Sequence, residues 1–204
     1  MPCKNVVKNN VSDSYYHIYA RGHARQKIFR DDDDFRFFLN LFKRYLSASP
    51  ACDKNGRPYS NLHDQIELLA YCLMPNYLHM LVYQVNQDAM ANLMKSIMSS
   101  YGAYFNKKYK KSGAVFESRY KAARVDNDTH LMYISRYIHL SPGDWQAYLY
   151  SSIHAYFGIG QPEWLQPDRI IELFGSTPVY ADFLDDYVDY KKSLKEIKKS
   201  LANR

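Results

Sequence analysis

At 204 residues and 47% hydrophobic composition, the chain can bury one sizeable core but is too short for two domains of ordinary size. Basic residues outnumber acidic ones by 27 to 21, giving a formal charge of +6 and a pI near 9.0, a balance that favours a polyanionic partner. Cys3, Cys52 and Cys72 are odd in number and far apart, which argues against a disulfide framework or a cysteine zinc site and for a reducing cytoplasm.

The amino terminus MPCKNVVKNN has no apolar signal-peptide core, and no segment approaches the roughly 18 apolar residues of a membrane span. A cytoplasmic protein without membrane attachment is expected. YYHIYARG, 15–22, is aromatic and β-branched and stops at Gly22, so it reads as a first strand. DDDDFRFFLNLFKRYL follows, with acids at its start and Phe35, Phe38, Leu39 and Phe42 at helical spacing. The aspartates suit the positive end of that helix better than a metal.

A polar loop over 47–61 leads to IELLAYCLM, the turn Pro75-Asn76 and YLHMLVYQ, which together predict a β-hairpin. From about Asp88 to Lys107, Met90, Leu93, Met94, Ile97 and Tyr101 fall on one helical face and read as core. Residues 114–125 read as a fourth strand with a basic face. Lys107, Lys108, Lys110, Lys111, Arg119, Lys121 and Arg124 cluster there among aromatics, the mixture a groove needs to track phosphates and stack bases.

DNDTHLMYISRYIHLSPGDW opens with Asp/Asn caps and closes at Ser-Pro-Gly, a helix of three to four turns. Leu131, Ile134 and Ile138 form its buried stripe; Tyr133, Tyr137 and Ser141 form a neighbouring row. Past Tyr150, GIGQPEWLQPDRI suggests irregular packing and 186–204 a terminal basic helix. The β-α-β-β-α-β-α order predicts an α+β, ferredoxin-like fold: a four-stranded antiparallel sheet with helices packed on one face, plus a C-terminal helical extension. The division expected is 14–158 for the main domain and 159–204 for the extension.

Strand alternation puts Tyr77 and His79 on one face, where a histidine at 77 would complete a two-imidazole clamp. YHIYARGHARQKIF, AYCLMPNYLHMLV, GAVFESRYKAARVD, YISRYIHLSP and YLYSSIHAYFG, in that order, resemble the single-tyrosine HUH transposases, IS200-like, and within them the REP-associated tyrosine transposases. The resemblance runs over roughly 14–158. It implies a metal-dependent DNA strand transferase acting on single-stranded or hairpin DNA through a 5′-phosphotyrosine, with Tyr137 as nucleophile. It also implies Mg²⁺ or Mn²⁺ at His79 and Ser141, held weakly or not at all because Tyr77 replaces the first histidine of the pair and Ser141 the usual asparagine.

His17 on the first strand is another imidazole that could stand in for the missing one; His139 projects about 200° around its helix from Tyr137 and is poorly placed. Two other readings stand beside the transferase: a catalytically silent protein that still binds DNA hairpins, and an RNA binder, which lacks an RNP-like aromatic motif. A homodimer is left open.

Overall fold

The computed structural model describes residues 10–186, 194, 195 and 197–199. Four strands, β1 (Ser14–Arg21), β2 (Ile66–Met74), β3 (Tyr77–Gln84) and β4 (Lys121–Val125), pair antiparallel in the order β2-β3-β1-β4. Helices α1 (Asp32–Leu46) and α2 (Ala89–Lys108) make the two crossovers, which gives the ferredoxin-like arrangement.

The first face of the sheet packs on α1 and α2. Asp31 caps α1 by accepting from the Asp34 amide at 3.2 Å, and the buried stripe runs Phe35, Phe38, Leu41, Phe42 and Tyr45. Leu39, expected in that stripe, is only partly buried, because the helix turns Leu41 into the core instead. Asp34 is fully buried and accepts from the Arg30 amide, Tyr104, Tyr109 and Lys108, so the acidic quartet serves the helix start. On α2, Met90, Leu93, Met94, Ile97, Tyr101 and Phe105 close this core against Ile18, Leu78, Met80 and Val82.

The second face carries helices too, an addition to the one-sided arrangement expected. α3 (Asp128–His139), capped by Asn127 on the His130 amide, lays Leu131, Ile134 and Ile138 over Leu69, Ala70, Cys72, Leu81 and Val125. The short α4 (Ile153–Tyr156), α5 (Asp168–Phe174) and α6 (Thr177–Asp185) extend this second core with Tyr156, Ile170, Phe174, Tyr180 and Leu184. The edge of β2 is covered: Leu73 N donates to Tyr150 O and Ser152 N to Tyr71 O.

β4 is shorter than the strand expected over 114–125. Residues 114–120 instead fold over the end of β1, meeting it through the isolated Gly22–Phe116 bridge and through Arg21 and Glu117. The terminal basic helix expected over 186–204 lies outside the described residues, except that positions 194, 195 and 197–199 are helical. Among the described residues, no helix is long and apolar enough to cross a membrane.

Candidate active site

β1 and β3 are neighbours, and on the α3 side of the sheet β1 presents His17, Tyr19 and Arg21 while β3 presents Tyr77 and His79. The register sets Tyr19 opposite His79 and Tyr77 opposite Arg21, so His17 lies one step along the diagonal from His79. Their rings stack at 5.0 Å, and His17 Nε2 is 3.0 Å from His79 Nδ1. α3 lowers Tyr137 onto this pair: its ring meets His79 edge-on at 5.1 Å and His17 at 6.0 Å. Tyr137, His79, Tyr77, Tyr19, Asn76, Arg21 and Arg25 share a cleft of about 590 Å³.

Burial dominates the electrostatics. It pushes the His79 pKa down to about 4, and it drives His17 well below its usual range, helped by the like charge His79 and His130 would carry. Both imidazoles are therefore neutral at pH 7. Burial, then Tyr77, Tyr19 and Cys72, push the Tyr137 phenol above its ordinary value. Cys72 stands opposite His79 on β2, and burial pushes its thiol up to about 12, which keeps it protonated.

The other members of the helix row go elsewhere. Tyr133 stacks on Phe183 at 5.7 Å, and Ser141 Oγ donates to the Tyr137 carbonyl at 2.8 Å, closing the end of its own helix. His139 is fully buried between Tyr180 and Ser152, at 2.6 and 2.7 Å, far from substituting for the missing imidazole.

The basic residues divide in the same way. Lys108 is held inside the fold by Asp31 and Asp34, at 2.6 and 2.9 Å, and Arg124 pairs with Asp126 at 2.6 Å. Lys107, Lys110, Lys111 and Arg119 are exposed. Lys121 is the member of the cluster that reaches the cleft wall, its ammonium 5.6 Å above the Tyr19 ring.

Arg25 and Asn76 were not singled out by sequence reasoning. They come together because the chain leaving β1 makes a single tight turn over His23–Arg25 in which Ala24 (φ 48, ψ 32) and Arg25 (φ 57) are both left-handed. Each such residue costs about 1–2 kcal/mol, so the turn persists only where its surroundings fix it. Those surroundings are hydrogen bonds: Gly22 N to Asn76 O at 2.9 Å, His23 N to Val115 O at 2.9 Å, and Ile28 N to Pro75 O at 2.7 Å. Gly22 is required for contact, since a Cβ there would stand 2.1 Å from the Gln26 carbonyl oxygen. The sequence signal was the RGHARQ stretch, with glycine placed two residues before the left-handed pair.

The donor set can be tested against the Mg²⁺ or Mn²⁺ that the family resemblance implies. Such an ion asks for octahedral, oxygen-rich ligation. The cleft offers one imidazole edge, the Asn76 amide and neutral phenols, with no carboxylate among the described residues of its lining, and His79 Nδ1 is already engaged by His17. Ser141 closes the end of its own helix and is not part of the cleft's lining, and among the described residues no group of three His, Cys, Asp or Glu comes together. The residues present do not fit the ion.

The family pattern of IS200-like transposases matches residues 58–141, a span that holds Tyr77, His79, Tyr137 and Ser141 but begins after β1 and the Arg25 turn. No curated protein matches the chain. Among solved structures, a REP-associated tyrosine transposase bound to a REP hairpin superposes with a TM-score of 0.55 at 10% identity, over 78% of this chain and 89% of that one. A transposase candidate from Deinococcus radiodurans R1 gives 0.40 at 16% identity, over 65% and 93%. Residues 58–141 are thus similar to IS200-like transposases, and the fold is shared with a REP-associated tyrosine transposase.

Proposed function

We propose that this chain binds single-stranded or hairpin DNA and cleaves and rejoins it through Tyr137. The observation that carries the reading is the meeting of Tyr137 with His79 in an open cleft walled by arginines. In the step proposed, the Tyr137 oxygen attacks a phosphodiester phosphorus, the P–O3′ bond breaks, and the 3′-oxygen leaves as a hydroxyl with a proton from the medium. A 5′-phosphotyrosine remains, which conserves the ester for rejoining without a nucleotide cofactor. The DNA partner is carried over from the structural neighbour, which holds a REP hairpin.

The difficulty lies in making a phenolate. Handing the phenol proton to an imidazole of pKa about 4 is uphill by roughly 8 kcal/mol or more. His79 is therefore a poor base on its own, and positive charge near the phosphate must supply the difference. This observation also favours the second reading, a silent hairpin binder in which Tyr137 never reacts.

Covalent capture separates the two. A labelled hairpin oligonucleotide incubated with the protein should yield a denaturant-stable adduct that Tyr137→Phe abolishes, with DNA affinity changed less than about twofold because only a hydroxyl is lost. Tyr133→Phe should leave the adduct intact. An adduct mapped to Tyr133, or one that survives Tyr137→Phe, rejects the assignment, and no adduct with any hairpin supports the silent binder.

A further inference from the structure

We infer that Arg25, and not a divalent ion, holds the DNA phosphate that sits against Tyr137; the inference rests on the cleft proposed above as the DNA site. Three observations carry it. The first is charge: Arg21, the other arginine in the cleft, is forked through Nε and Nη2 onto the Glu117 carboxylate, whereas Arg25 enters no ion pair or side-chain hydrogen bond among the described residues. A free guanidinium beside a neutral histidine pair and neutral phenols makes the cleft an anion site, and its planar fork matches two phosphate oxygens.

The second is rigidity. Arg25 is exposed, yet its backbone is held in a left-handed turn pinned to Asn76, Pro75 and Val115, and the same cleft takes in Asn76. Strained, over-determined turns of this kind are where binding groups are set in advance. Lys198 also lines the cleft, but from a segment described at only a few positions. The third is the donor set, which does not fit Mg²⁺ and leaves the phosphate charge to be met by the protein's own cations.

The test uses the full chain and a fluorescent DNA hairpin with a single-stranded thymidine tail, in EDTA. Arg25→Ala should weaken binding about tenfold, the weight of one charged hydrogen-bonded contact. It should also reduce the log–log salt slope by about 0.7, as expected for one phosphate on single-stranded DNA. Arg25→Lys should keep the slope and recover only part of the affinity, because it keeps the charge and loses the fork. Adding Mg²⁺ should never tighten wild-type binding and should only weaken it as a competing DNA counterion does, since no site on the protein then holds the ion.

Location is read separately: inorganic phosphate should shift the Tyr137 ring signal in a ¹³C-tyrosine NMR spectrum of the wild type and not of Arg25→Ala. Arg25→Ala without effect on slope and affinity, or Mg²⁺ tightening the wild type tenfold, overturns the inference. An adduct through Tyr137 that needs Mg²⁺ and ignores Arg25→Ala overturns it while leaving the nucleophile in place. Arg25 losses and the NMR shift without any adduct leave the phosphate site standing and reject the cleavage reading instead.

Discussion

The side of the sheet under α1 and α2 and the side under α3 use the same strands, alternate residues of each, and are chemically opposite. The first is closed by hydrocarbon and rings: Ile18, Phe38, Leu78, Met80, Val82 and Tyr101 are fully buried. The second interleaves apolar residues with His17, His79, Tyr19, Tyr77 and the Cys72 thiol, and opens into a cleft where α3 ends. One face is therefore held mainly by packing, with the buried Asp34–Lys108 pair tying α1 to α2, whereas the other holds groups whose protonation and partners decide what it does. The difference teaches that stability and chemistry are separable here, and it can be broken from either side.

The largest change expected comes from the packed side. Phe38 meets Phe29, Phe42 and Tyr101 with ring centroids 5.1–5.4 Å apart, so Phe38→Ala leaves a cavity with no means of filling it. Loss of about 3–5 kcal/mol is expected in urea unfolding, with DNA affinity per folded molecule unchanged. An equal loss of DNA affinity in the folded fraction would mean that the two faces are coupled.

Acid should act from the other side. Burial lowers the pKa of His79 to about 4 and that of His139 to about 3, and lowers His17 as well. A histidine held neutral in the fold but free to protonate when unfolded stabilises the native state above its unfolded pKa of 6.5. That contribution is lost as pH falls toward the folded pKa. For His79 alone the window runs from about 6.5 to 4 and spans on the order of 3 kcal/mol. Urea midpoints measured across it should fall steeply, in Phe38→Ala as in the parent. A flat profile would show that the histidines are hydrated.

How much of this was legible in the sequence follows the same division. Alternation and helical spacing gave the strands, the α2 stripe and the row of Tyr133, Tyr137 and Ser141, because each is a local period, whereas only the family resemblance of YIHLSP picked Tyr137 from that row. The His17–His79 contact was not local. It depends on the register between strands 62 positions apart in sequence, and the sequence offered His17 only as a candidate. The Arg25 turn was hidden because Ala24 and Arg25 take a conformation that their residue types disfavour, imposed by hydrogen bonds from the Pro75-Asn76 turn and Val115. Likewise, nothing in periodicity said that Lys108 would be drawn inward by a buried Asp34 while Lys121 stayed at the cleft.

On the proposed reading, positions 77 and 141 are where a gain of function can be sought. Tyr77→His places an imidazole beside His79 on the same strand face, and Ser141→Asn adds an amide oxygen one helical turn past Tyr137. Supporting groups around a metal are worth about 10–100-fold, and first-layer ligands should give at least that in Mn²⁺ affinity by calorimetric titration. If the parent binds Mn²⁺ as tightly as the double variant, position 77 is no defect and the donor set includes groups other than these.

The smallest effect expected separates two lysines of one basic segment. Lys121 lies on β4 opposite Tyr19, with its ammonium above the ring and no carboxylate partner among the described residues, so it is placed to meet backbone phosphate entering the cleft. Lys108 lies across the sheet, between Asp31 and Asp34, and its charge is already answered. Lys121→Ala should weaken binding of a tailed hairpin a few-fold and lower the salt slope by about 0.7, with unfolding unchanged. Lys108→Ala should do the reverse, leaving the slope alone and destabilising the fold, because Asp34 stays buried without its cation. Salt titrations by fluorescence anisotropy, paired with urea melts of the same preparations, read both quantities. If the two variants lower the slope equally, Lys108 leaves its carboxylates to bind DNA, and the side under α1 and α2 is part of the DNA surface after all.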